Sequence, residues 1–216
     1  MFQEDYILRL IEILTIYLQD IVFNIRHHNY DLALHKINQT YKRLLHVDPD
    51  GMKHKTTDEI IECNTHNDVL EKDNIEVIAN LLFLEAFVLE QIHKYNESSF
   101  EFYQKSFELF YLLYGLTENK KYTMNINEVI PKLGHYYANN DVIYKMYEYY
   151  LKTGQYGKAE DTLFYLMEND YPEIKNKIDH FYSKLMKKDD AVLEKGNLPR
   201  DEIINSVVEL GFNSHK

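Results

Sequence analysis

Apolar residues recur at helical spacing along most of this chain, and no segment alternates apolar with polar residues over a strand length. Ile7, Leu10, Ile11, Leu14, Leu18, Ile21, Val22 and Ile25 mark one face of a helix predicted from about Glu4 to Ile25. Leu8, Ile13, Ile16 and Phe23 widen that face, so the helix is either sandwiched in a core or shared with a second subunit. A second helix is expected from Tyr30 to about His46, closed by Asp48-Pro49-Asp50-Gly51. Residues 47–72 are polar and irregular, except that Thr56-x-x-Glu59 has the form of a capping box opening a short helix through Ile60 and Ile61. A longer helix is expected from about Asn74 to Lys94, almost wholly apolar from Ala79 to Leu89 and so central to the core. Its partner, from about Glu97 to Tyr114, is aromatic (Phe100, Phe102, Tyr103, Phe107, Phe110, Tyr111, Tyr114), with Gly115 as its stop.

Residues 116–125 (LTENKKYTMN) have the composition of a linker. They would divide an N-terminal half, 1–115, from a C-terminal half, 126–216, unless the chain is one continuous domain. The next helix begins near Asn127, with Pro131 expected close to its first turn. A hairpin follows over 141–172, with helices predicted over 141–152 and 155–169 about a Thr-Gly turn. Another helix starts after Pro172. Gly196-Asn197-Leu198-Pro199 breaks the chain, and a last helix runs from about Arg200 to Leu210, stopped by Gly211. The fold class is all-α, with eight or nine helices.

The 141–172 hairpin carries a repeat signature. A tetratricopeptide unit wants a Gly-x-Tyr turn, aromatic residues flanking it, and a small residue where its two helices cross. Gly154 and Tyr156 match the turn, Tyr150 the last aromatic of the first helix, and Ala159 the small contact. Leu163 stands for an aromatic, and Pro172 closes the unit one residue late. Tyr147 and Leu166 depart from the pattern, being bulky where it prefers small residues. Weaker echoes occur at Ser99, Tyr103 and Ser106, and at Tyr30, Ala33, Ile37 and Thr40. The small residues Ala33, Ser99 and Ala159 lie 66 and then 60 positions apart, near twice the usual period of about 34. The expectation is a degenerate tetratricopeptide-like right-handed superhelix of antiparallel hairpins; generic helix packing is the alternative.

The opening phrase MFQEDYILRLIE, the Tyr30-Asp31-Leu32-Ala33-Leu34 helix and the hairpin from Ile78 to Leu112 together resemble an uncharacterised bacterial family of unknown function. The resemblance extends over most of the chain. It implies this helical architecture, and it implies no activity and no binding residue.

Charge and composition narrow the partners. A net charge of -11 over 216 residues repels phosphate backbones and anionic membranes and favours a basic protein or peptide. The most basic run, Lys184 to Lys188, is followed at once by Asp189 and Asp190. The reading is therefore no nucleic acid and no membrane. The apolar run from Tyr6 to Ile25 is interrupted by Arg9, Glu12, Gln19 and Asp20, a set an intramembrane helix rarely carries. Glu4 and Asp5 stand where a secretory leader wants basic residues. One cysteine, Cys63, allows no intrachain disulfide, which fits a cytoplasmic protein.

Candidate chemistry is sparse. Cys63-x-x-His66 with Asp68 nearby is half a zinc site, and the rest would have to be His or Asp, such as His54 or the pair His27-His28. Ser98 and Ser99 near His93 lack a nucleophile-elbow pattern. The carboxylate pairs Glu59/Glu62, Glu168/Asp170 and Asp189/Asp190 sit near helix ends. Asp48 and Asp50 begin a calcium-loop spacing that the following residues do not continue. Seven scattered glycines supply no phosphate-binding loop. No catalytic residue, metal ligand or cofactor is assigned, and the chain reads as a non-enzyme. What remains is a tyrosine-rich helix side: Tyr137, Asn140, Tyr144, Tyr147 and Tyr150 would line a groove that binds a peptide by contact area and hydrogen bonding. The alternative reading is that these tyrosines are core, with their hydroxyls satisfied at its edge. The function expected is a protein- or peptide-binding helical module, homodimeric through its first helix. The alternatives are a structural homodimer without a groove, a peptide-sensing regulator, or a metal- or thiol-dependent hydrolase.

Overall fold

A computed structural model describes residues 15–93, 97–134 and 138–211. It is predominantly helical, with twelve α-helices among the described residues. They form two compact units, divided between Gly134 and His135.

In the first unit, α1 covers residues 15–26. Residues 4–14 of the predicted first helix lie outside the described residues. Ile21 is fully buried, whereas Ile16 and Phe23 are exposed. Asp20 pairs with Lys36 at 2.7 Å, tying α1 to α2, Tyr30–Thr40. A π-helical turn, Tyr41–Leu45, prolongs α2 and ends at His46 in the left-handed region. The polar stretch that follows holds more structure than its composition suggests. Asp48 accepts from the Gly51 N–H at 2.8 Å and starts the single-turn α3, Pro49–Lys53. The expected capping box is present: Thr56 Oγ1 accepts from the Glu59 N–H, and Glu59 Oε2 accepts from the Thr56 N–H, opening α4, Thr57–Cys63. A two-stranded hairpin was not foreseen. β1, Thr65–His66, pairs antiparallel with β2, Val69–Leu70, across Asn67 and Asp68, both at positive φ. Asn and Asp tolerate that conformation better than other side chains.

The core of this unit is the hairpin of α5, Lys72–Ile92, and α6, Glu97–Thr117, with α7, Lys120–Leu133, laid against α6. Ile75, Ile78, Leu81 and Leu82 of α5 and Phe107, Leu109, Phe110 and Leu113 of α6 are all essentially inaccessible. The two helices touch where their side chains are small: Ser106 Oγ donates to the Ala79 carbonyl at 2.9 Å. Two carboxylates of α5 fasten α7. Glu76 accepts from Lys121 Nζ and the Tyr122 hydroxyl at 2.7 and 2.8 Å. Glu90 accepts from Lys132 Nζ at 2.8 Å and from Tyr103 of α6 at 2.9 Å.

Three expectations fail here. Residues 116–125 are no linker: α6 runs to Thr117 and α7 starts at Lys120, because the Asn119 side chain accepts from the Lys121 N–H and caps it. Gly115 lies inside α6 instead of ending it. Pro131 sits in the last turn of α7, not the first, where it gives up the N–H bond to the carbonyl four residues back.

The second unit begins with α8, Asn140–Thr153, capped by Asn139, whose Oδ1 accepts from the Val142 N–H at 2.9 Å. Gly154 ends it at φ +77°, a conformation costly for any residue with a Cβ. α9, Tyr156–Glu168, folds back on α8 with Ala159, Leu163 and Leu166 buried. Then come α10, Ile174–Leu185, against α9; α11, Asp190–Lys195; and α12, Arg200–Glu209, against α10 and α11. The helix expected after Pro172 is thus two pieces. The break at 196–199 has a packing reason: the Gly157 N–H donates to the Gly196 carbonyl at 3.0 Å, so backbone lies directly on backbone.

Candidate functional site

The tyrosine side of α8 is mostly interior. Tyr147 and Tyr150 are buried, at 4% and 8% exposure. The groove expected along this side is therefore filled at both positions. Tyr147 meets Phe181 of α10 edge-on, with ring centroids 6.1 Å apart. Burial pushes both phenol pKa values up. Tyr150 turns toward α9, with Lys158 Nζ 5.4 Å from its ring centre. Of the four described positions, Tyr144 and Asn140 keep partial access. Tyr144 stacks on Tyr171 at 5.3 Å, and Lys177 Nζ donates to its hydroxyl at 3.0 Å while lying over its ring at 4.1 Å. That hydrogen bond raises the Lys177 pKa. Asn140 Nδ2 donates to the Asn169 carbonyl at 3.4 Å. Tyr137 lies outside the described residues. The four described positions therefore do not form one lining. Tyr144 and Asn140 make a small polar-aromatic surface with Tyr171 and Lys177.

A second cluster lies in the first unit and is closed. Lys53 of α3 donates from Nζ to Glu85 Oε1 at 2.7 Å and to Asn38 Oδ1 at 2.6 Å. Its side chain and that of Glu85 are 7% and 9% exposed. Lys105 of α6, also buried, donates to the Lys53 carbonyl at 2.7 Å and to Glu101 Oε1. Tyr41, the first residue of the π-turn, is fully buried with Lys53 Nζ 5.7 Å from its ring centre. Tyr41 Oη and Glu85 Oε2 are buried without a hydrogen-bond partner among the described residues. Burial raises the Glu85 carboxyl pKa, against the opposing pull of Lys53. Burial, then the Glu85 charge, raises the Tyr41 pKa well above the ordinary phenol value. Sequence reading passed over this cluster, although a lone Glu85 within ANLLFLEAFVL is the signal that could have found it. A carboxylate set in an apolar helix face is buried unless the helix is itself exposed, and a buried carboxylate needs a cation.

The second unit holds a comparable carboxylate. Glu160 of α9 is buried and accepts from the Tyr182 hydroxyl at 2.6 Å and Ser206 Oγ at 3.2 Å. Burial raises its pKa, while those two hydrogen bonds pull it down.

The residues of the half zinc site have separate surroundings. Cys63 is exposed at the end of α4. His66 lies 3.6 Å from Glu71. His27 stacks on Phe23, and His28 Nδ1 lies 2.8 Å from the Tyr30 hydroxyl. Among the described residues, no group of three or more His, Cys, Asp or Glu side chains is placed to hold a metal ion. None of the described helices is long and apolar enough to cross a membrane.

The chain is thus an all-α protein of packed hairpins whose polar clusters face inward. A family model matches residues 69–211, from β2 through α12, and the chain belongs to that family, a family of unknown function (DUF6483). No curated protein and no solved structure matches the chain.

Proposed function

We propose that this chain is a non-enzymatic docking module, a degenerate tetratricopeptide-like stack that binds a protein or a basic peptide. The observation that carries the reading is the run of α8, α9 and α10, each packed on the one before, with a left-handed Gly154 turn and a fully buried Ala159. A unit of this kind presents the outer surface of its helices and does chemistry with none of them. The acidic excess of the whole chain, 35 acidic against 24 basic side chains, favours a basic partner and disfavours nucleic acid. The surface of Tyr144, Asn140, Tyr171 and Lys177 replaces the buried part of the expected groove. An exposed free Cys63 supports a reducing, cytoplasmic setting. The test is an array of basic, neutral and acidic peptides read by titration calorimetry. Basic peptides are expected to bind and to weaken as salt rises. Equal indifference to all three classes would end the reading.

One further observation favours a structural homodimer. Ile16 and Phe23 expose 64% and 57% of their surface on α1, beside Leu18 and Val22. Pairing of α1 with a second copy would cover them. Sedimentation at low concentration should show a dimer, and Phe23→Asp should dissociate it. A wild-type monomer would refute the pairing.

A further inference from the structure

We propose that residues 47–56 form a releasable strap, pinned through Lys53, that covers one flank of the α5–α6 hairpin. Among the described residues, the hydrogen bonds from 48–54 to another helix all pass through Lys53. Lys53 Nζ reaches Asn38 of α2 and Glu85 of α5, and the Lys53 carbonyl receives Lys105 of α6. The others are local, Gly51 to Asp48, Met52 to Asp48, His54 to Asp50 and Lys55 to Met52, and at the strap's start the Val47 N–H donates to the Tyr41 carbonyl at 3.5 Å. Pro49 and Met52 give the only other buried surface of α3. Asp48, Asp50, Gly51 and His54 face water. His46, in the left-handed region, precedes the strap, and the Thr56–Glu59 capping box that opens α4 closes it.

The closed position is held against a cost. Lys53 and Glu85 are both removed from water, and Glu85 Oε2 and Tyr41 Oη have no partner among the described residues. A buried pair repays desolvation only when its remaining lone pairs and protons are satisfied. Lifting the strap returns Lys53 to water and takes its ammonium off Glu85 and the Tyr41 ring, while leaving the apolar α5–α6 contacts in place.

Amide hydrogen exchange of the full-length chain tests this. The amides of Gly51, Met52 and His54 should exchange roughly a hundredfold or more faster than those of Leu81 and Leu82, as expected for sub-global opening. Lys53→Ala should speed the strap amides about tenfold further and leave α5 and α6 unchanged. The charge-free pair Lys53→Met with Glu85→Leu should slow them below the wild-type rate. Strap amides that exchange in wild type at the same rate as Leu81 and Leu82 would overturn the proposal. So would a Lys53→Ala chain in which strap and α5 amides accelerate together.

Discussion

Replacing Gly157 with alanine separates two opposing effects. Inside a helix, alanine is ordinarily favoured over glycine by about 1 kcal/mol, because glycine loses more backbone freedom on folding. At Gly115, within α6, a new Cβ meets no atom within 4 Å, so Gly115→Ala should stabilise the first unit by roughly 0.5–1 kcal/mol. At Gly157 the new Cβ falls 2.4 Å from the Asn197 carbonyl oxygen. That atom is backbone and cannot rotate away, so α9 and the 196–199 break must part. Parting them stretches the 3.0 Å bond from the Gly157 N–H to the Gly196 carbonyl, worth about 1 kcal/mol. Overpacking adds about 1–3 kcal/mol. The clash outweighs the propensity gain, for a net loss of about 2 kcal/mol. Urea unfolding followed by circular dichroism measures the total, and amide exchange in α9 against α5 assigns it to a unit, since two units need not unfold together. A Gly157→Ala chain at least as stable as wild type would show that these backbones do not touch.

Three other changes have expected outcomes. Tyr147→Ala removes a buried ring packed on Phe181 and should cost about 3–5 kcal/mol in the second unit; a loss under about 1 kcal/mol, typical of exposed sites, would return the residue to an open groove. Asn139→Ala removes the cap on the Val142 N–H and should cost about 1 kcal/mol in thermal unfolding of the second unit, with an unchanged melt as the contrary result. The raised Glu160 pKa means that the folded second unit holds this proton more tightly than the unfolded chain. Its contribution is full below the ordinary carboxylate pKa and is lost as pH rises through the raised folded value. Glu160→Gln should flatten stability across that window, and an unchanged pH profile would assign the slope to other groups.

The helical periodicity was enough to locate α5, α6, α8, α9 and α12 within a few residues, because long amphipathic patterns and strong stops such as Gly154 and Gly211 act locally. It failed where tertiary context overrides composition. LTENKKYTMN has the makeup of a linker, yet the Asn119 cap and the Glu76–Lys121 pair make most of it helix. The β-hairpin escaped notice because each strand is two residues long, too short to show alternation. For the tyrosines, spacing correctly placed Tyr144 and Tyr147 side by side, at 5.5 Å between rings. It carried no information on depth, because α10 covers Tyr147 only after the chain has folded back. The Tyr41–Lys53–Glu85 cluster joins residues from three segments, and no local pattern announces such a convergence.

The amide spectrum of the isotopically labelled chain, titrated with a basic peptide selected from the array, tests the docking claim most directly. Saturable shifts confined to one contiguous surface, reversed by salt well above physiological strength, are the predicted result. A spectrum that stays unchanged through millimolar peptide would contradict it.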